Sequence, residues 1–445
     1  MKNKEFSLFD FCKKRASKIQ VYGSETLDDE GNLIPFIEQA AFITHYLQLN
    51  KKHSNLPYKT KAESILNLWY EFVEEENKRL NESTSCVCES NTAMQGYLFP
   101  DLFQAPFKPQ PNPKFTFIDL FAGIGGFRMA MQNLGGECVF SSEWDEQARK
   151  TYYANYGDMP FGDITKESTK NCIPQGFDIL CAGFPCQAFS LAGKRLGFEE
   201  TRGTLFFDVA EILRRYQPKA FFLENVKGLA IHDKKKTLKT ILNTLDEVGY
   251  YVPTPEIVNA MYFGVPQHRE RIYIVGFRKD LGIKPEEFTY PEQKEVTKKW
   301  IDVREENPVP AKYYLSTTYQ QTLIKHKARH EAKGNGFGYD IIPDDGIAHA
   351  IVVGGMGRES NIVIDFRQKD LTPTTNIKGT VNTDGWRKMT PREWARLQGY
   401  PDNFKIVVAD ASAYKQFGNS VAVPAIQATA EQLLKPLKKH GIIRK

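Results

Sequence analysis

The chain lacks any apolar run of about eighteen residues, the length a membrane-spanning helix needs. Its start, Met1-Lys-Asn-Lys-Glu-Phe-Ser7, has none of the apolar h-region of a secretory signal peptide, so a cytoplasmic home is expected. Cysteine is scarce: seven in 445 residues, at Cys12, Cys86, Cys88, Cys138, Cys172, Cys181 and Cys186. An odd, scattered set argues against a disulfide framework. The close pair Cys86-Val-Cys88 has no further Cys or His at zinc-site spacing, so no metal site is expected. Strong charge is also missing. The net charge is +5, which permits nucleic-acid binding without demanding it. What is present is apolar material, 41% of the residues, enough for one large core and a smaller one across two or three domains.

Texture divides the chain. Phe36 to Leu49 and Ala62 to Leu80 have helical periodicity, the second through Leu66, Leu68, Trp69 and Phe72. Residues 1–104 are therefore expected to be a helical N-terminal extension. Ala105-Pro-Phe-Lys-Pro-Gln-Pro-Asn-Pro113 holds four prolines in nine residues and reads as a stiff linker over 105–114. From 115 to 278 short apolar strands alternate with helical stretches. The strands are Phe115–Phe121, Cys138–Phe140, Asp178–Cys181, Ala220–Leu223 and Arg271–Val275; the clearest helices run Gly203 to Tyr216 and Lys234 to Val248. This alternation predicts an α/β fold built on a doubly wound, mostly parallel sheet. Residues 279–388 break the pattern with Gly, Asp and Thr and short strands at Ala350–Val353 and Asn361–Ile364, so a smaller loop-rich domain is expected there. Helical pattern returns over 389–445, opened by the capping box Thr390-Pro-Arg-Glu393.

Several strand ends carry polar residues suited to chemistry. Gly123, Gly125 and Gly126 form a glycine turn after the first strand, where a ligand can approach the backbone. Glu143 follows the second strand and is placed to accept ribose hydroxyls. Asp163 can accept an adenine amino hydrogen, and Trp144 can lie on the adenine face. No Walker Lys-Ser/Thr follows the glycines, which disfavours a triphosphate. Cys186 stands in Gly183-Phe-Pro-Cys-Gln187, where Gly183 and Pro185 shape a turn that exposes a thiol at a strand's end, the setting of a nucleophile. Glu224-Asn225 ends another strand, where a buried carboxyl needs a partner or a ligand. Gln267-His-Arg-Glu-Arg271 sets two arginines at alternate positions, able to steer phosphate or carboxylate; His268 is given no role.

In order along the chain, these runs resemble the DNA cytosine-5 methyltransferase family, in particular the bacterial restriction-modification methylases. The matching runs are Phe117-Ile-Asp-Leu-Phe-Ala-Gly-Ile-Gly-Gly126, Gly183-Phe-Pro-Cys-Gln-Ala-Phe-Ser190, Arg202-Gly-Thr-Leu-Phe206, Glu224-Asn-Val226, Gln267-His-Arg-Glu-Arg-Ile-Tyr273, Arg392-Glu393 with Leu397-Gln-Gly-Tyr-Pro401, and Gln416-Phe-Gly-Asn-Ser-Val421. The resemblance covers about residues 115–440.

It implies the S-adenosylmethionine-dependent methyltransferase fold, with Cys186 adding to carbon 6 of a cytosine. Glu224 would donate to ring nitrogen N3, and Asn225 would hold the Glu224 loop. Arg271 would stand near the base and thiol with Arg269 beside it, while Pro185 would act through its shape and its carbonyl. The S-adenosylmethionine pocket would comprise Phe121, Gly123, Gly126, Glu143, Trp144, Asp163, Ile164, Leu205, Asn419 and Ser420, with the cofactor's carboxylate near the amides of the glycine turn. The target base must be flipped out of duplex DNA. The loop from Gly183 to Gly203 would close over it, flexing at Gly193 and Gly197, with Lys194 and Arg195 meeting phosphates. Residues 279–388 would be the target-recognition domain, with a basic cluster at Lys325–His330, and Arg358, Arg367 and Asn361 as base readers. The implied partner is double-stranded DNA, bound by a monomer in a bacterial cytoplasm; a cognate endonuclease would share the site without needing to bind. Two other functions stay open, an RNA cytosine-5 methyltransferase on the same scaffold and a non-catalytic DNA-binding relative. The extension is open among a regulatory or partner-binding module, a second DNA contact and a brace on the catalytic domain.

Overall fold

The computed structural model describes residues 26–28, 31–49, 52–80, 99–185, 205–354, 359–372 and 379–444. At its centre four parallel strands lie in the order β2-β1-β3-β4: β1 (Phe115–Leu120), β2 (Gly136–Ser142), β3 (Ile179–Gly183) and β4 (Ala220–Val226). Burial alternates cleanly. Phe115 and Phe117, Ile179 and Cys181, and Ala220 and Phe222 face one side; Ile118 and Leu120, Leu180 and Ala182, and Phe221 and Leu223 face the other. Both faces are apolar, so both need covers. Helices Gly126–Asn133 and Val423–Lys439 supply one, through Met129, Ala130, Ile426 and Leu433. Helices Leu205–Tyr216 and Lys236–Glu247 supply the other, through Val209, Leu213, Ile241 and Leu245. The expected doubly wound architecture is present.

Beyond β4 the sheet continues through β5 (Tyr250–Tyr251) and β6 (Glu256–Asn259), both paired to β8 (Glu270–Arg278), which itself pairs antiparallel with β4. Only β8 is reversed within this seven-stranded sheet. The reversal matters for the site. The carboxyl ends of β1 to β4 and the amino end of β8 lie at one edge, so Arg271 enters opposite Val226. The segment leading to Asp163 joins the sheet's edge through a single parallel bridge, Ser142 to Phe161.

Helix Phe36–Leu49 packs against the edge strand β2 and the chain beyond it, in one core with Ile118, Val139, Phe140 and Phe161. Helix Lys59–Leu80 packs on that helix, with Trp69 stacked on Phe36 at 4.4 Å and its indole N–H donating to Gln39 at 2.9 Å. The proline-rich stretch thus connects elements that share a core. A buried charge cluster crosses the same junction. Arg128 donates to Asp158 at 2.7 Å, and His45 of the extension lies 3.3 Å from Asp158, all three fully enclosed. Breaking such a pair typically costs about 3–5 kcal/mol, because the remaining charge stays out of water.

Residues 279–388 carry helix Thr317–Glu331 and the antiparallel pair β10 (Ile362–Ile364) and β11 (Trp386–Lys388). They close on their own small core of Leu315, Leu323, Ile362 and Trp386. The strand expected at Ala350–Val353 is not formed. Pairing is confined to β7 (Gln267–His268) with β9 (Ala348–His349), and Val352 and Val353 stand 43% and 47% exposed. The Ile351 amide is taken instead by the Gln267 side chain at 3.0 Å. The capping box at Thr390 and Glu393 forms as expected, and Glu393 also holds the buried Arg387 at 2.8 Å. Among the described residues no helix is long and apolar enough to cross a membrane.

Candidate active site

A cavity of about 610 Å³ opens at the carboxyl edge of the sheet. Open parallel sheets place ligands there, where strand ends leave a crevice between loops. Its floor is the turn after β1. Phe121 takes a left-handed backbone (φ 54°), as do Gly123 (φ 55°) and Gly125 (φ 83°). A non-glycine residue in that region is strained and is held by its surroundings.

Glu143, at the end of β2, accepts the Gly123 amide on Oε2 and the Asp145 amide on Oε1, both at 2.8 Å. Burial raises its pKa above the usual carboxylate value, against those two backbone donors. Each oxygen keeps a second lone pair for a hydroxyl donor. Trp144 beside it is 77% exposed, an unusual state for an indole unless a ring covers it. Asp163 accepts the Thr165 amide and hydroxyl on Oδ1 alone, leaving Oδ2 without a partner among the described residues. Ile164 and Leu205 add apolar wall, and Asn419 and Ser420 close the far side. Carboxylates for ribose and adenine, an exposed indole and apolar walls fit S-adenosylmethionine.

Two expectations change here. Gly126 does not line the cavity. It is buried beneath it, where an added Cβ would lie 2.6 Å from Val421 and 2.9 Å from the Tyr400 hydroxyl, so its smallness lets the returning C-terminal segment close on the turn. Nor are the Gly123 and Gly125 amides free for a ligand carboxylate, since they donate to Glu143 and to the Ala122 carbonyl.

The catalytic candidates converge on the neighbouring wall. Glu224, at the end of β4, lies 3.1 Å from Arg271 Nε. Burial raises the Glu224 pKa, opposed by Arg271 and then Arg269. Asn225 donates to the Phe184 carbonyl at 2.8 Å and accepts the Val226 amide at 2.8 Å. It therefore holds the Phe184–Pro185 turn rather than the Glu224 loop. Arg269 lines the cavity, but its guanidinium donates to the carbonyls of Ile351, Gly418 and Ser420, tying the residue just before β8 to residues 279–388 and to the C-terminal segment. That is a fastening role. Pro185 is the last described residue before Cys186. Cys186, Lys194, Arg195 and Arg358 lie outside the described residues, as does the loop to Gly203.

Two proposed base readers are committed elsewhere. Asn361 is fully buried, accepting the His349 amide at 2.8 Å and donating to the His349 carbonyl. Arg367 binds Asp365 and the carbonyls of Glu305 and Glu306. Both hold the frame of residues 279–388 itself. Sequence reasoning missed Lys415, which lines the cavity and pairs with Asp145, and Tyr400, whose hydroxyl lies 2.7 Å from Ser420 Oγ. Lys415 was findable, standing one helical turn before Asn419; Tyr400 lay within the matching run Leu397-Gln-Gly-Tyr-Pro401 without a role being given to it.

Comparison with known proteins agrees with this geometry. Residues 115–435 match the family described as C-5 cytosine-specific DNA methylase. The Type II methyltransferase M.HpaII of Haemophilus parainfluenzae is 72% identical over 336 residues, covering 74% of this chain and 93% of that protein. The Type II methyltransferase M.HhaI of Haemophilus parahaemolyticus is 42% identical over 320 residues, covering 71% of this chain and 92% of that protein. The crystal structure of S. pombe Dnmt2 methyltransferase has a TM-score of 0.54 at 20% identity, covering 73% of this chain and 99% of that one, a likeness of fold. The chain belongs to the C-5 cytosine-specific DNA methylase family: it is a DNA cytosine-5 methyltransferase whose methyl donor is S-adenosylmethionine.

Proposed function

We propose that this methyltransferase acts on a cytosine turned out of a short specific duplex sequence, with Cys186 as nucleophile and Glu224 as proton donor, as the modification enzyme of a type II restriction-modification system. The observation that carries the reading is the Glu224–Arg271 pair, 3.1 Å apart, in one cavity with Pro185, Glu143 and Asp163. Glu143, Trp144 and Asp163 would hold the ribose and adenine of S-adenosylmethionine, which supplies an electrophilic methyl group when bound.

In this reading the Cys186 sulfur bonds to cytosine carbon 6 while Glu224 gives N3 a proton. The ring electrons then sit at carbon 5, which takes the methyl group. Loss of the carbon 5 proton expels the thiolate, and N3 returns its proton. Glu224 suits the task because burial favours its protonated form, while Arg271 fixes its orientation. Asn225 keeps Phe184 and Pro185 against β4, so the turn leading to Cys186 starts from a fixed point. Lys194 and Arg195 would meet DNA phosphates. On this reading the enzyme acts on DNA as a monomer. The type II assignment rests on the names of the relatives; an endonuclease of the same system would share the sequence without binding this chain.

The test is incubation with tritium-labelled S-adenosylmethionine and plasmid DNA, followed by bisulfite sequencing. The expected result is label in DNA and protected cytosines within one short sequence. Label in RNA alone, or on adenine or cytosine N4, contradicts the reading.

A further inference from the structure

We propose that Glu38, in the N-terminal extension, is a positioning residue for the adenine side of the S-adenosylmethionine site; this rests on reading Asp163 as the adenine contact. Glu38 lies outside residues 115–435, which match the methylase family, and it does not line the cavity. Its carboxylate nonetheless joins two of the cavity's walls. Oε2 accepts the Gly162 amide at 3.0 Å, one residue before Asp163. Oε1 accepts from Arg149 at 2.5 Å, on helix Glu146–Tyr156, whose first turn lines the cavity through Gln147 and Ala148.

The approach is close. A Cβ on Gly162 would lie 2.5 Å from Glu38 Oε1, so this backbone and that carboxylate meet only because residue 162 is glycine. Helix Phe36–Leu49, which carries Glu38, also grips the residues before Gly162. Thr44 Oγ1 accepts the Met159 amide at 2.9 Å, and Phe42 meets Phe161 edge-on at 5.2 Å. On its other side Phe161 is held by β2, its amide donating to Ser141 and its carbonyl accepting from Glu143, both at 2.8 Å. The loop bearing Asp163 is thus fixed between the sheet that carries Glu143 and the extension that carries Glu38. Preset spacing between two ligand-binding carboxylates saves the ordering cost a ligand would otherwise meet on binding. The extension thereby acts on cofactor affinity as a brace with one specific anchor.

Calorimetric titration of the full chain with S-adenosylmethionine tests this. Glu38→Ala should weaken binding about 5- to 10-fold, the scale of one ordinary hydrogen bond, while Glu38→Gln, which still accepts from Gly162, should stay within about 2-fold. Duplex-DNA affinity should not move. The KM for S-adenosylmethionine should rise with the dissociation constant while kcat holds, a split that general loosening would not give. Should the alanine variant fail to fold, Glu38→Asp, too short for Gly162 yet still charged, is expected to show the same weakening. Wild-type affinity in these variants, or equal loss in the glutamine and alanine forms, overturns the proposal. Asp163→Ala separates the premises. If it binds normally, the adenine assignment is wrong; if it is weakened while Glu38→Ala is not, only the positioning role fails.

Discussion

Cys186→Ser is expected to lower single-turnover methyl transfer by at least about 10⁴-fold, with S-adenosylmethionine and DNA still bound. A serine hydroxyl stays protonated at neutral pH and adds poorly to an aromatic ring, whereas a thiol ionises readily. No other described thiol can take over. Cys138, Cys172 and Cys181 are all buried. Burial pushes the Cys138 thiol up to about 12 and Cys181 well above its ordinary value, so neither becomes a thiolate at working pH. Both face the sheet's interior rather than the cavity. The check is rapid-quench measurement with labelled S-adenosylmethionine at saturating DNA. A serine variant within about tenfold of wild type would remove Cys186 from the chemistry.

Glu224→Gln is expected to lower the same rate by about 10²- to 10³-fold, the usual worth of a positioned proton donor. The sign of its pH dependence follows from burial. A raised pKa keeps the carboxyl protonated to higher pH than a free glutamate. The donor is therefore lost as pH rises through that raised value, while the thiolate is lost as pH falls. Wild type should give a bell-shaped profile. Glu224→Gln should keep the rising limb and lose the falling one, because an amide does not titrate there. Circular dichroism should show a folded variant, since Gln keeps the volume and can still accept from Arg271. A rate within about threefold of wild type, or an unchanged falling limb, contradicts the proton-donor role.

Much of the site was legible because strands end abruptly in polar residues. Glu143 after β2 and Glu224 near the end of β4 stood out as carboxylates following apolar runs, and both reach the cavity. The glycine turn was legible for the same reason, though Gly126 serves packing rather than ligand approach. Less could be read where period carries no information. Alternation is the same in either direction along a strand, so the reversal of β8, which brings Arg271 to Glu224, left no mark in the sequence. Irregular segments give no rule for side-chain direction, so Asn361 and Arg367 looked exposed yet hold their own framework. Long-range partners were equally silent. Arg269 meets Ser420 across 151 positions, and Glu38 meets Gly162 across 124. The prolines of 105–114 looked like a boundary, but the core on either side is shared because His45 and Phe42 pack onto Asp158 and Phe161.

The most direct test of the mechanism is a duplex carrying 5-fluorocytosine at the methylated position, incubated with the wild-type chain and S-adenosylmethionine. After methyl transfer carbon 5 would hold fluorine in place of the proton whose loss expels the thiolate, so the enzyme cannot leave. The account predicts a denaturant-stable protein–DNA adduct that depends on S-adenosylmethionine, mapped by mass spectrometry of proteolytic peptides to Cys186. No adduct, or an adduct on any other residue, would contradict it.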